Sequence, residues 1–235
     1  MSVARNGGPI PASDAQRRVR RSPLLFTAPI VLLVLLTLVL GWEIVRANMS
    51  EEARADWPWR LQVLDMEPLG SLLAVAAGAV LARAQYARTV RPLLGWRSDW
   101  SAGNLRGGVP EWQVGLFNGG SHTVMVEEYA CLVVLRGEHE PAAAPWTDVQ
   151  GAAAVLTAAG LTAGEDFQLV MVGNFPLVGT GSHEMMLGAF SQRFVDRVEA
   201  LYFRVRVADT VGDSHERILD ALKGARSSAY QRPAP

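Results

Sequence analysis

The sequence predicts a membrane α + β protein, with two N-terminal transmembrane helices followed by a mainly-β sandwich or small barrel that carries one or two helices. Two observations lead there. The first third of the chain holds two uncharged apolar runs, and beyond position 110 short β-branched and aromatic runs recur between Gly- and Pro-containing turns. With 235 residues there is room for one folded domain beside the helices, because domains run to roughly 100–200 residues.

Residues 1–21 contain Gly7, Gly8, Pro9, Pro11 and five arginines without apolar periodicity, and read as a disordered basic tail. Its arginines set topology and can touch anionic lipid. Residues 22–46 read as the first transmembrane helix. No charge occurs over 22–42, and a helix of about 20 residues crosses a ~30 Å hydrocarbon core. A cleaved signal peptide competes, because Arg17, Arg18, Arg20 and Arg21 precede the run and Val45 and Ala47 could fit a cleavage rule. Against it, the run is longer than a signal core of about 7–15 residues, and Arg46 lies inside the supposed site.

Residues 47–67 form the loop between the helices, rich in Glu and Asp, with Trp57-Pro58-Trp59 as an interfacial anchor beside Trp42. Residues 68–88 are the second transmembrane helix. Its uncharged core is short, but Arg83 can snorkel to the headgroups and 84–87 extend the helix to a length near ~18 residues. A buried or surface-lying helix is the alternative. Arginines flank the outer ends of the pair, at Arg5, Arg17, Arg18, Arg20 and Arg21 and at Arg83, Arg88, Arg91 and Arg97. The positive-inside rule then puts both termini in the cytoplasm and the loop outside, in a multi-pass protein of the inner, cytoplasmic membrane. Gly70, Ala74, Gly78 and Ala82 recur every fourth residue of the second helix, a small-residue stripe suited to helix packing. The first helix and a second copy of the chain are both candidate partners.

Residues 89–110, with Trp96, Trp100 and the glycines at 103, 107 and 108, read as a juxtamembrane connector. Residues 111–223 are the β domain. Strands are expected at 111–117, 123–135, 166–172 and 200–207, the first two joined through Asn118-Gly119-Gly120. In the last, Leu201, Phe203, Val205 and Val207 alternate with Tyr202, Arg204 and Arg206, which leaves one wet face. Val149, Ala153 and Leu156 have helical spacing, with Thr147 as the cap and Gly160 as the stop. Residues 213–223 suit a short helix slightly better than a strand, and both remain open. Residues 224–235 read as a frayed tail.

The run VGLFNGGSHTVMVEEY, a strand, an Asn-Gly turn and a Val-rich strand, resembles the opening of immunoglobulin-like sandwiches attached to bacterial, actinobacterial-type membrane helices. The order of two helices and a cytosolic β domain is also similar to membrane effectors of bacterial antiphage signalling. That resemblance implies a β domain that binds a nucleotide second messenger and drives oligomerisation. No motif carries it, so it assigns no residue.

The balance of 22 basic against 23 acidic residues excludes a nucleic-acid binder held by phosphate neutralisation. A single cysteine, Cys131, excludes a disulfide-stapled scaffold. His122, His139, His183 and His215 have no zinc-site spacing, and neither a Walker A sequence nor a GxSxG elbow occurs. Asp209, Asp213, Glu216 and Asp220, with Arg217, read as a solvated charged face, since they lack the ligand spacing of a calcium loop. Gly-Ser-His occurs twice, ending at His122 and at His183, and two loops at one end of a sandwich could bring these together as a ligand site. No catalytic residue, metal or cofactor is expected. The expected role is a non-enzymatic membrane-anchored scaffold or sensor, whose partners are membrane lipid and a protein or small-molecule ligand. The alternative is a ligand-triggered membrane effector that acts as a homo-oligomer.

Overall fold

A computed structural model describes residues 15–20, 23–137, 145–171 and 173–228. The chain is mixed α + β and divides into two compact units, one of residues 21–89 and one that joins residues 1–20 to 90–235.

The helical unit holds α1 (Pro23–Ala47), the short α2 (Glu51–Ala55) and α3 (Met66–Thr89). Both α1 and α3 are long and apolar enough to cross a membrane. They pack through Leu36, Leu69 and Ala76, with Leu33, Val39, Leu40 and Leu73 around them. Most other apolar side chains on the pair, among them Leu35, Leu38, Val75 and Leu81, are exposed. Gly70, Ala74, Gly78 and Ala82 are exposed as well, and a Cβ at Gly70 or Gly78 would meet nothing within 4 Å. The stripe therefore does not supply the α1 contact, which the larger residues on another face make. Between the helices, Trp59 stacks on Trp42 at 4.7 Å. The Glu43 carboxylate accepts from Val63 N at 2.8 Å and from Arg46 at 3.2 Å.

In the other unit, β1 (Arg17–Arg20) precedes the helices and the remaining strands follow them: β2 (Leu94–Ala102), β3 (Pro110–Asn118), β4 (Val124–Leu135), β5 (Phe167–Leu169), β6 (Pro176–Leu177), β7 (Glu184–Ser191), β8 (Val198–Ala208) and β9 (Ser214–Asp220). They form two antiparallel sheets, ordered β1-β9-β8-β4-β6 and β2-β3-β7-β5, in a half-barrel around one core. Phe190 of one sheet meets Phe203 of the other at 6.5 Å between ring centroids. Phe194 closes on Phe190 at 4.5 Å. The helix α4 (Val149–Ala158) and the short α5 (Gln192–Arg197) add Ala152, Leu156, Phe194 and Val195 to that core.

Several expectations need correction. The basic tail is ordered over its last residues, because β1 adds to the edge of β9; residues 1–14 lie outside the described ones. The connector contains β2, whose Leu94, Trp96 and Trp100 pack on the core while Arg97 and Asp99 are exposed, a two-residue period interrupted to the eye by Gly95 and Ser98. Residues 214–220 are a strand, and the helix-like spacing of Leu219 and Leu222 arises because the chain turns after Asp220 and packs Ala221, Leu222 and Ala225 on the core. Of the supposed frayed tail, 224–228 is held in place, with the Arg226 guanidinium donating to Val198 O at 2.6 Å and Glu199 O at 3.0 Å; residues 229–235 lie outside the described ones. Asp148 caps α4 rather than Thr147, accepting from Gly151 N at 2.7 Å. The inward parity of β4 switches at a bulge between Val126 and Glu128, so Cys131 and Val133 join Val124 and Val126 in the main core. The strands β6 and β7 lie where the sequence predicts none.

An ion-pair ladder on the outer face of the larger sheet ties β1 in place. Glu216 of β9 is buried and accepts from Arg17 at 2.6 Å and Arg206 at 2.9 Å. Arg206 continues to Glu128 at 2.5 Å, and Glu128 to Arg204 at 2.7 Å. Gln16 adds bonds to Pro92 O at 2.8 Å and from Leu94 N at 2.9 Å. Burial pushes the Glu216 carboxyl up, but hydrogen bonds and charge from Arg17 and Arg206 outweigh it and leave the group below the usual glutamate range. The stabilisation is therefore complete above the unfolded value near about 4.3 and is lost as pH falls through the lowered folded value. Glu216→Gln should cost about 1–2 kcal/mol at pH 7, since Arg17 is largely exposed. Thermal unfolding of the full chain in detergent at neutral and acid pH should show a smaller acid loss in the variant than in the parent.

Candidate functional site

Asn118, buried at the end of β3, ties three segments together at one end of the half-barrel. Its Oδ1 accepts from Leu93 N at 3.3 Å and Gly120 N at 3.0 Å, and its Nδ2 donates to His122 O at 2.7 Å. The loop before β7 then docks on this turn, with Thr180 N donating to Gly120 O at 2.6 Å and Gly181 N to Asn118 O at 2.8 Å. Gly179 is required there, because a Cβ would stand 2.6 Å from Gly120 O. The two Gly-Ser-His tripeptides thus lie on adjoining, hydrogen-bonded loops. Each imidazole bonds its own serine, Ser121 Oγ to His122 Nδ1 at 2.8 Å and Ser182 Oγ to His183 Nδ1 at 3.2 Å. His139 lies outside the described residues. Among the described residues no three His, Cys, Asp or Glu side chains are grouped so as to hold a metal ion.

Beside these loops the outer face of β2, β3 and β7 bears two open grooves, of about 410 and 470 Å³, separated by the Arg97–Glu184 ion pair at 2.8 Å. Ser182 lines the smaller, with Trp96 and Phe117; Trp100, Gln113 and Met186 line the larger. Two glycines make room for the walls: a Cβ at Gly95 would collide with the Phe117 ring, and one at Gly115 with the Glu184 side chain. The Arg97 guanidinium, the Glu184 and Asp99 carboxylates, the Ser182 hydroxyl and the Phe117 ring beside one open face can bind a polar ligand by hydrogen bonds and stacking.

The charged stretch near the C-terminal strand is not a solvated face. Asp209, Asp213 and Glu216 are all buried. Asp209 Oδ1 closes its own turn, accepting from Val211 N at 3.0 Å and Asp213 N at 2.9 Å, while its Oδ2 meets His215 Nε2 at 3.0 Å. Asp213 pairs with Arg18 at 3.5 Å. A hydrolytic triad needs a serine on the other imidazole nitrogen. Here the Ser214 hydroxyl donates to Glu127 at 2.8 Å, and His215 Nδ1 has no hydrogen-bond partner among the described residues. Nothing in the sequence distinguishes this buried pair from an exposed one, since the burial of both side chains appears only in the folded chain.

A smaller cavity of about 280 Å³ lies between Tyr129, the start of α4 and Gly173, with Gln150 and Met171 also lining it. Cys131, two residues along β4, is fully buried. Burial raises its thiol to about 12; the Tyr129 hydroxyl lowers it somewhat and the Asp148 carboxylate adds to the rise. Burial likewise holds the Tyr129 phenol well above its ordinary value.

No family model, no curated protein and no solved structure matches this chain. In the folded protein at pH 8 Cys131 should resist iodoacetamide and should be alkylated only after denaturation. Mass spectrometry of the alkylated protein reads this directly, and rapid native labelling would contradict the burial.

Proposed function

We propose that the chain is a multi-pass protein of the cytoplasmic membrane whose β unit works at the inner face as a non-enzymatic scaffold or sensor, binding a protein or a small ligand. The observation that carries this reading is the pairing of β1 with β9. The residues just before α1 and just after α3 belong to one folded body, so either both helices cross the bilayer or neither does. Their length and exposed apolar side chains favour both crossing. Cleavage after Ala47 would also remove β1 from its sheet. The arginines on the outer flanks favour an inward-facing β unit. For a small ligand, the loops of His122 and His183 and the Ser182-lined groove supply the polar groups.

Fusions to the C terminus test the placement. A fluorescent protein should be active there and alkaline phosphatase inactive; active phosphatase would move the β unit outside and end this reading.

A ligand-triggered oligomeric effector is the second reading, favoured by one observation: the stripe of Gly70, Ala74, Gly78 and Ala82 is exposed and not occupied by α1. Small residues let a helix from another copy approach closely. Gly78→Leu fills open space within the chain, so it should abolish cross-linked oligomers while C-terminal fluorescence persists. Oligomers that survive Gly78→Leu unchanged would remove the effector reading.

A further inference from the structure

The end of the β unit from which the chain leaves for α1 and at which it returns from α3 presents Leu93, Met125, Phe175 and Val178, which are 59%, 44%, 50% and 42% exposed. Backbone contacts make them one continuous rim. Leu93 O accepts from Gly119 N at 2.8 Å, and Thr180 N reaches Gly120 O. Leu177, next to Val178, pairs with Val124, and Pro176, next to Phe175, pairs with Met125. From Met125 the row runs through Ala208 and Ser214 to Arg20. Arg20 and Arg91, both exposed, stand at the two junctions with the helices. Of the carboxylates at this end, Asp209 and Asp213 are buried against His215 and Arg18, Glu184 pairs with Arg97, and the exposed Glu127 accepts from the Ser214 hydroxyl.

We propose that this rim is a docking surface for the bilayer itself, its apolar side chains entering the interface and its arginines meeting anionic headgroups. The inference rests on α1 and α3 being membrane spans. Only two residues separate Arg20 from Pro23, the first residue of α1, and Val90 directly follows Thr89, the last of α3. At no more than about 3.6 Å per extended residue, both junctions stay within about 10 Å of the helix ends. So short a tether makes docking intramolecular, at high effective concentration, and a modest surface suffices. Exposed apolar side chains bordered by Arg20 and Arg91, with three of the four nearby carboxylates buried or ion-paired, match the chemistry of an anionic membrane surface.

The test uses the full chain in nanodiscs with and without anionic lipid, carrying one polarity-sensitive fluorophore on an introduced cysteine; buried Cys131 stays unlabelled. Val75→Cys, on the exposed side of α3, reports the span, Val178→Cys the rim, and Val109→Cys the opposite end of the half-barrel. Nitroxides on acyl chains should quench the label at 75, and headgroup nitroxides should quench it at 178 but not at 109. Replacing Arg20 and Arg91 together by Gln, raising the salt or omitting anionic lipid should each diminish quenching at 178. Quenching at 75 without quenching at 178 overturns docking and leaves the membrane reading standing. An unquenched label at 75 overturns both. A label at 178 shielded from aqueous iodide yet untouched by nitroxide lipid means that a protein surface covers the rim, and also overturns the proposal.

Discussion

Because Arg17–Arg20 pairs with Ser214–Asp220, the segment that leads into α1 and the segments that follow α3 are parts of one folded body. The helical hairpin is thereby an insertion into a β unit, and both of its ends are joined to the same folded body. A four-residue edge strand is a weak element by itself. It is held because its arginines reach carboxylates that β9 buries, and because Gln16 bonds across to the start of β2, so closure of the chain and satisfaction of buried charge are the same event.

The half-barrel combines an aromatic core with polar ties at its margins. Phe167, Phe190, Phe194 and Phe203 are fully buried and bring the two sheets onto each other. At the margins long side chains satisfy backbone groups that no strand reaches. The Arg217 guanidinium donates to Leu94 O, the Trp112 indole donates to Ala221 O at 2.8 Å, and the buried Glu111 carboxylate accepts from Asn104 N at 2.9 Å and Leu105 N at 2.7 Å. Many of the polar residues that draw attention in the sequence are used in this way, which is why their clustering near the C-terminal strand does not make a reactive centre.

What remains chemically open is concentrated on the loops at the helix-junction end and on the outer face of β2, β3 and β7. Loops built from paired backbone bonds, like those that carry His122 and His183, present their side chains from a rigid base. The adjoining grooves owe their shape to glycines at positions 95 and 115, over which Phe117 and Glu184 lie. This end exposes polar and apolar groups together and is covalently linked to both apolar helices.

The sequence by itself determined the two apolar helices, the helix ending near Gly160, and the strands whose side chains alternate plainly, above all β8, because hydrophobic period and turn chemistry are local properties. It also placed the two Gly-Ser-His turns as candidates for one end of the fold. Only the tertiary structure decided the rest. The four residues of β1 have no apolar pattern, since they are ordered by a partner almost two hundred positions away. The small residues of β7, Gly188, Ala189 and Ser191, carry little strand signal until β3 and β5 flank them. The burial of Asp209, Asp213 and Glu216, like the exposure of the small-residue stripe on α3, depends on which face meets which neighbour, and a one-dimensional pattern holds no record of that.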